Sequence, residues 1–188
     1  MQTQGSARWV EGLVYFAAFV ACVPAANWTV GHLGTACVPQ GPCLIPVAPG
    51  MQAPSGVLMI GLALVLRDLV QRRLGIAWAA AAIAVGTAAS ATFAPPSLVI
   101  ASASAFLLSE LADLAVYTPL QRRGMVLAVL ASSAVGLVVD SIVFLWLAFG
   151  SLGYLPGQIV GKLWMVLVSL PLIAWLRNRD QRLGIAAP

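Results

Sequence analysis

Six largely apolar stretches follow one another along this chain, and basic residues stand before the first and after the second, fourth and sixth. A helix that spans a bilayer needs about 20 consecutive apolar residues. The stretches cover residues 9–26, 54–71, 76–93, 97–120, 125–149 and 156–176, give or take a few positions at each end. Six spans of this kind use roughly 120 residues, so the 188 residues leave room for short loops and no separate soluble domain. The expected fold is all-α: a single transmembrane domain over 1–188, built as a six-helix bundle.

The charges orient that bundle. With six spans, Arg8, Arg67, Arg72, Arg73, Arg122, Arg123, Arg177, Arg179 and Arg182 all fall on one side. The opposite loops, 27–52, 94–96 and 150–155, carry no Lys, Arg, Asp or Glu. Arginine-rich loops stay in the cytoplasm, so both termini are expected there and the protein is read as multi-pass in a bacterial cytoplasmic membrane. A wrong helix count would scatter the arginines over both sides.

Composition agrees with a lipid-facing exterior. Only 9% of residues are charged and 61% are hydrophobic, against about 25% charged in soluble domains. The net charge of +4 follows from the flanking arginines, and no basic surface with interleaved aromatics points to nucleic acid. The first stretch runs into Asn27-Trp28 instead of a small-residue cleavage site, so it is read as a retained helix and not a signal peptide. Residues 27–52 read as a loop, with turns at Gly41-Pro42 and Pro49-Gly50,. Pro95-Pro96 ends the third helix because proline cannot continue the hydrogen-bond ladder,.

Once the flanking charges are assigned, four remain in or near the spans: Glu110, Asp113, Asp140 and Lys162. Each costs about 2.5–3.5 kcal/mol at a helix centre unless it faces the bundle interior and finds partners. Glu110 and Asp113 are three apart and share a helix face; Gln158 precedes Lys162 by one turn,. Three carboxylates and one ammonium point to a polar ligand, a proton relay or both, whereas a single Asp140–Lys162 pair could merely staple two helices. Asn27, at the outer end of the first helix, joins the candidate site. Arg67 and Asp68 read as an interfacial pair of structural use.

Cys37 and Cys43 share the long loop, where an oxidising compartment permits a disulfide without the spacing deciding it,. Cys22 reads as a small hydrophobe in the first helix. His32 is the single histidine, so no metal site is expected. Nor does any nucleophile elbow, phosphate loop or dinucleotide fingerprint call for catalysis or a cofactor.

The ordered motifs carry a resemblance. Gly56 to Gly75 (GVLMIGLALVLRDLVQRRLG), Ser109-Glu110-Leu-Ala-Asp113, Val139-Asp140-Ser141 and Gly157-Gln158-x-x-x-Lys162 resemble, in that order, the VUT family of vitamin-uptake transporters, which includes bacterial queuosine-precursor transporters. The likeness covers residues 54–176 and implies import of a 7-deazaguanine such as preQ0 or preQ1. A carboxylate, Glu110 or Asp140, would accept from N1–H and the exocyclic amine of such a base. Gln158 and Lys162 would donate to O6, and Asp113 would support the site. The long, Pro-rich first loop departs from the family pattern and leaves the outer gate open to question.

The energy source stays open between proton coupling through one of the acids and a coupling partner. In the second case the chain would be the substrate-capture subunit of an energy-coupling-factor vitamin importer. Small residues Ala17, Ala21 and Ala25 on the first helix would suit either such a partner or a second copy,. An intramembrane enzyme and a purely structural membrane protein are the remaining alternatives.

Overall fold

The computed structural model describes residues 2–38, 41–94 and 96–184, with side chains from residue 8 onward. Both chain ends and Pro95 of the Pro-Pro break lie outside the described residues. Six α-helices run in order: α1 Gln2–His32, α2 Val57–Leu74, α3 Ile76–Phe93, α4 Val99–Leu120, α5 Met125–Phe149 and α6 Leu155–Arg182. A 3-10 turn, Pro96–Leu98, leads into α4.

The helices bury their polar side chains and turn their apolar ones outward. On α4, Phe106, Ser109, Glu110, Asp113 and Tyr117 are buried at helical spacing, whereas Leu108 and Leu111 between them are about half exposed. On α6, Gln158 and Lys162 are buried and Leu163, Trp164 and Val168 are exposed. Such an arrangement suits a hydrocarbon solvent, in which each polar group must find its partner inside the protein. Five helical segments are long and apolar enough to cross a membrane: Arg8–His32, Ile76–Phe93, Pro96–Leu120, Met125–Phe149 and Leu155–Arg182.

The sixth helix, α2, is too charged to join that set because it carries Arg67, Asp68, Arg72 and Arg73. It is also the helix that touches all five others, and its face toward each of them is buried from Ala63 through Arg73. A helix enclosed by its neighbours needs no apolar surface of its own; its charges need counterions on those neighbours.

Two features depart from the expected all-α loop-and-helix pattern. First, α1 continues through Asn27 to His32, and α6 runs on to Arg182, well past residue 176. Second, residues expected as loop form a small antiparallel sheet: β1 Ala36–Cys37, β2 Cys43–Ala48 and β3 Met51–Pro54, in that order. Leu44 pairs with Pro54 and Ile45 with Ala53, and the β2–β3 turn passes through Gly50 at φ 72°, a backbone region open to glycine at no steric cost. Pairing satisfies backbone groups that a bare loop would leave to water. Cys37 and Cys43 sit opposite each other across β1 and β2 and form a disulfide. The sheet packs on α6 and α1, and Trp164 Nε1 donates to the Val47 carbonyl at 3.0 Å.

Ion pairs tie the opposite end together. Arg72 and Arg73 both reach Asp180 of α6, at 3.1 and 2.9 Å. Glu11 of α1 takes Arg73 at 3.0 Å and Arg179 at 2.6 Å. Flanking charges thus clasp α1, α2 and α6, which the extra turns of α6 make possible.

Candidate functional site

Close backbone packing brings the site together. A Cβ on Gly61 of α2 would lie 2.7 Å from the Lys162 carbonyl oxygen, and one on Gly157 would lie 2.0 Å from that of Gln52 in β3. These glycines let α6 approach α2 and the sheet closely, and so carry Gln158 and Lys162 inward.

At the end of the bundle without flanking charges lies a cleft enclosing about 540 Å³ of space between atoms, its open mouth included. Its polar lining is Asn27 of α1, Ser90 of α3, Ser102 of α4, Asp140 of α5, and Gln158 and Lys162 of α6. Apolar walls come from Phe106, Phe144, Val57 and Ile60 among others. Lys162 is the hub: its Nζ donates to Asp140 Oδ2 at 2.5 Å, Gln158 Oε1 at 2.6 Å and Ser141 Oγ at 2.7 Å. That leaves Asp140 Oδ1 and the Gln158 amide N–H groups without a hydrogen bond among the described residues. On the far wall, Ser102 Oγ lies 2.7 Å from Ser90 Oγ and 3.4 Å from Asn27 Oδ1.

Four of the six expected site residues, Asn27, Asp140, Gln158 and Lys162, therefore line one cavity. Glu110 and Asp113 do not; they belong to a second cluster, centred on Arg67. Arg67 Nε donates to Glu110 Oε2 at 3.3 Å, Nη1 to Gln71 Oε1 at 3.1 Å and Nη2 to Asp113 Oδ1. Nη2 also lies 2.9 Å from Asp68 Oδ1, and Ser132 Oγ donates to Asp68 Oδ2 at 2.9 Å. The guanidinium sits over the Tyr117 ring, 5.6 Å from its centre.

This corrects the reading of Arg67 and Asp68 as an interfacial pair and of Arg67 as one of the flanking arginines. Both are fully buried, and Arg67 is ten residues into α2, about 15 Å along its axis. The sequence signal was available: Arg67 and Asp68 sit within the same apolar run as Leu62 to Leu66. The arginines at 72 and 73 masked it by making the whole stretch look like a helix end.

The two clusters are adjacent. Phe106, which lines the cavity, lies one turn before Glu110 on α4. Two wider spaces flank them. One, at the sheet end, is lined by Val30, Gly41, Leu98, Phe149 and Tyr154 and shares Val30 and Leu98 with the cavity. The other, at the arginine end, is lined by Gln71, Thr118, Gln121 and Arg122.

Comparison with known proteins agrees with this second half of the bundle. The family model described as Putative vitamin uptake transporter matches residues 94–176, a span that holds Glu110, Asp113, Asp140, Gln158 and Lys162. Over those residues the match bears out the resemblance read from the sequence; the motif from Gly56 to Gly75 lies outside it. No curated protein and no solved structure matches the chain. Five apolar helices and the family match together support an integral membrane protein of transporter type.

Proposed function

From that family match we infer that the chain imports a 7-deazaguanine, preQ0 or preQ1, across a bacterial cytoplasmic membrane, with α2 as the sixth span and both termini in the cytoplasm. The arginines at 8, 72, 73, 122, 123, 177, 179 and 182 support this orientation even with Arg67 removed from the count,. The cleft then opens outward, beneath the disulfide-linked sheet. At 18 residues, α2 is about 27 Å long, close to the hydrocarbon thickness of roughly 30 Å.

The observation that carries the cargo assignment is the pairing of an acceptor with a donor on one wall of the cleft. Asp140 Oδ1 can accept from N1–H and the exocyclic amine of a guanine-like base, while the Gln158 amide can donate to O6. Lys162 holds both side chains in place through hydrogen bonds at 2.5 and 2.6 Å. Phe106 and Phe144 offer flat apolar surfaces to a planar ring,. Asn27, held by the Val23 carbonyl at 3.1 Å, faces the cargo from α1. Glu110 and Asp113 lie next to the site in the Arg67 cluster, Glu110 one turn after Phe106 on α4.

Transport is favoured over catalysis by the family match. Equilibrium binding of labelled preQ0 and preQ1 to the purified protein in nanodiscs tests the assignment. Wild type is expected to bind one or both in preference to adenine, and Asp140→Asn is expected to lose about 2–5 kcal/mol, as when one partner of a buried charged contact is removed. Equal binding of adenine, or an Asp140→Asn variant that binds as wild type does, contradicts it.

A further inference from the structure

We propose that the Arg67 cluster is a proton-binding site, distinct from the cargo cleft, whose occupancy is coupled to cargo movement; the proposal rests on the transport reading above. One guanidinium faces three carboxylates there, Asp68, Glu110 and Asp113, each buried to 1% exposure or less. With all of them ionised the cluster would carry a formal charge of −2 in a low-dielectric interior, a costly state without compensating positive charge.

The surroundings do not supply that charge. On α5 the cluster meets Ser132, and the next charged group on that helix, Asp140, is held by Lys162 of α6. The other basic residues of α2, Arg72 and Arg73, are engaged by Asp180 and Glu11. The charged residues of α1 among those described, Arg8 and Glu11, lie in its first turns, α3 has none, and Tyr117 of α4 is uncharged. Two carboxylate oxygens are also left open. Asp113 Oδ2 is buried without a hydrogen-bond partner, as is Asp68 Oδ1 despite its nearness to Arg67. Asp113 Oδ2 faces the gap left by Gly136, where a Cβ would stand 3.1 Å away. A metal ion does not suit the geometry: among the described residues no three acidic, His or Cys side chains are disposed to hold one. A proton does, since it needs a single carboxylate oxygen.

The cluster is also placed to couple. It lies between the cleft, through Phe106 and Glu110, and the space at the arginine end, which Gln71 lines while accepting from Arg67. Gln71 Nε2 in turn donates to Thr118 Oγ1 at 3.1 Å. A proton arriving on Asp113 Oδ2 removes one negative charge from Arg67's shell and loosens the bond that joins α2 to α4 below the cleft. Its departure toward the Gln71 side restores that bond.

The test uses the full chain in sodium-free liposomes with the membrane potential clamped and a pH-sensitive dye inside. PreQ0 is the cargo, because its nitrile brings no amine to titrate. Wild type is expected to acidify the interior when preQ0 enters. Asp113→Asn should abolish that acidification and Asp113→Glu should restore it. PreQ0 uptake by wild type without acidification overturns the proposal and leaves the transport reading intact, as does cargo-driven proton entry through Asp113→Asn. Absence of any preQ0 uptake by wild type overturns both.

Discussion

Lys162 decides whether the cleft is a binding site or a staple. It is fully buried and holds Asp140, Ser141 and Gln158 at once. Lys162→Met leaves Asp140 as a buried charge without its partner, which in proteins costs about 3–5 kcal/mol; thermal unfolding in detergent is expected to show a large loss. The double variant Asp140→Asn/Lys162→Met removes both charges and should regain much of that stability while still failing to bind preQ0 or preQ1. Recovery of binding together with stability would mark the pair as a staple only. At this scale Glu110, Asp113, Asp140, Gln158 and Lys162 were legible because polar side chains stand out in apolar runs. What the sequence could not show was their division into two clusters. That division depends on Arg67, whose partners lie 43 and 46 residues away on α4.

At the scale of elements, α2 shows why counting apolar stretches and measuring hydropathy give different answers. Its charges lower its hydropathy, yet α1, α4 and α6 supply counterions and all five other helices supply cover. If α2 spans the membrane, its two ends lie on opposite sides. Single cysteines at Met51, in the strand just before α2, and at Ile76, just after it, occupy exposed positions. An impermeant thiol reagent outside intact cells should label Met51→Cys and spare Ile76→Cys until the cells are opened. Labelling of both from outside would show that α2 does not cross. Helices α3 and α5 were readable to the residue, bounded by Gly75, Gly124 and Gly150. The sheet was not. Pro46 argues against a strand because it cannot donate, and it is tolerated only because β2 has a single strand beside it at that point, where the pairing with β3 is irregular,.

Across the whole molecule, the space at the sheet end, the cleft, the Arg67 cluster and the space at the arginine end follow one another. All six aspartate and glutamate side chains are engaged by an arginine or lysine, so the charges that the membrane makes expensive are the ones that organise the bundle. On the proposed orientation, a closed Arg67 network below a cleft at the sheet end is the arrangement expected of an importer awaiting cargo from outside. Uptake of labelled preQ0, preQ1 and guanine by precursor-auxotrophic cells that express this chain alone, without a coupling ATPase, tests that account most directly. Wild type is expected to accumulate a deazaguanine, and Asp140→Asn to lose that accumulation. No uptake of any deazaguanine, or uptake that Asp140→Asn leaves unchanged, would contradict it.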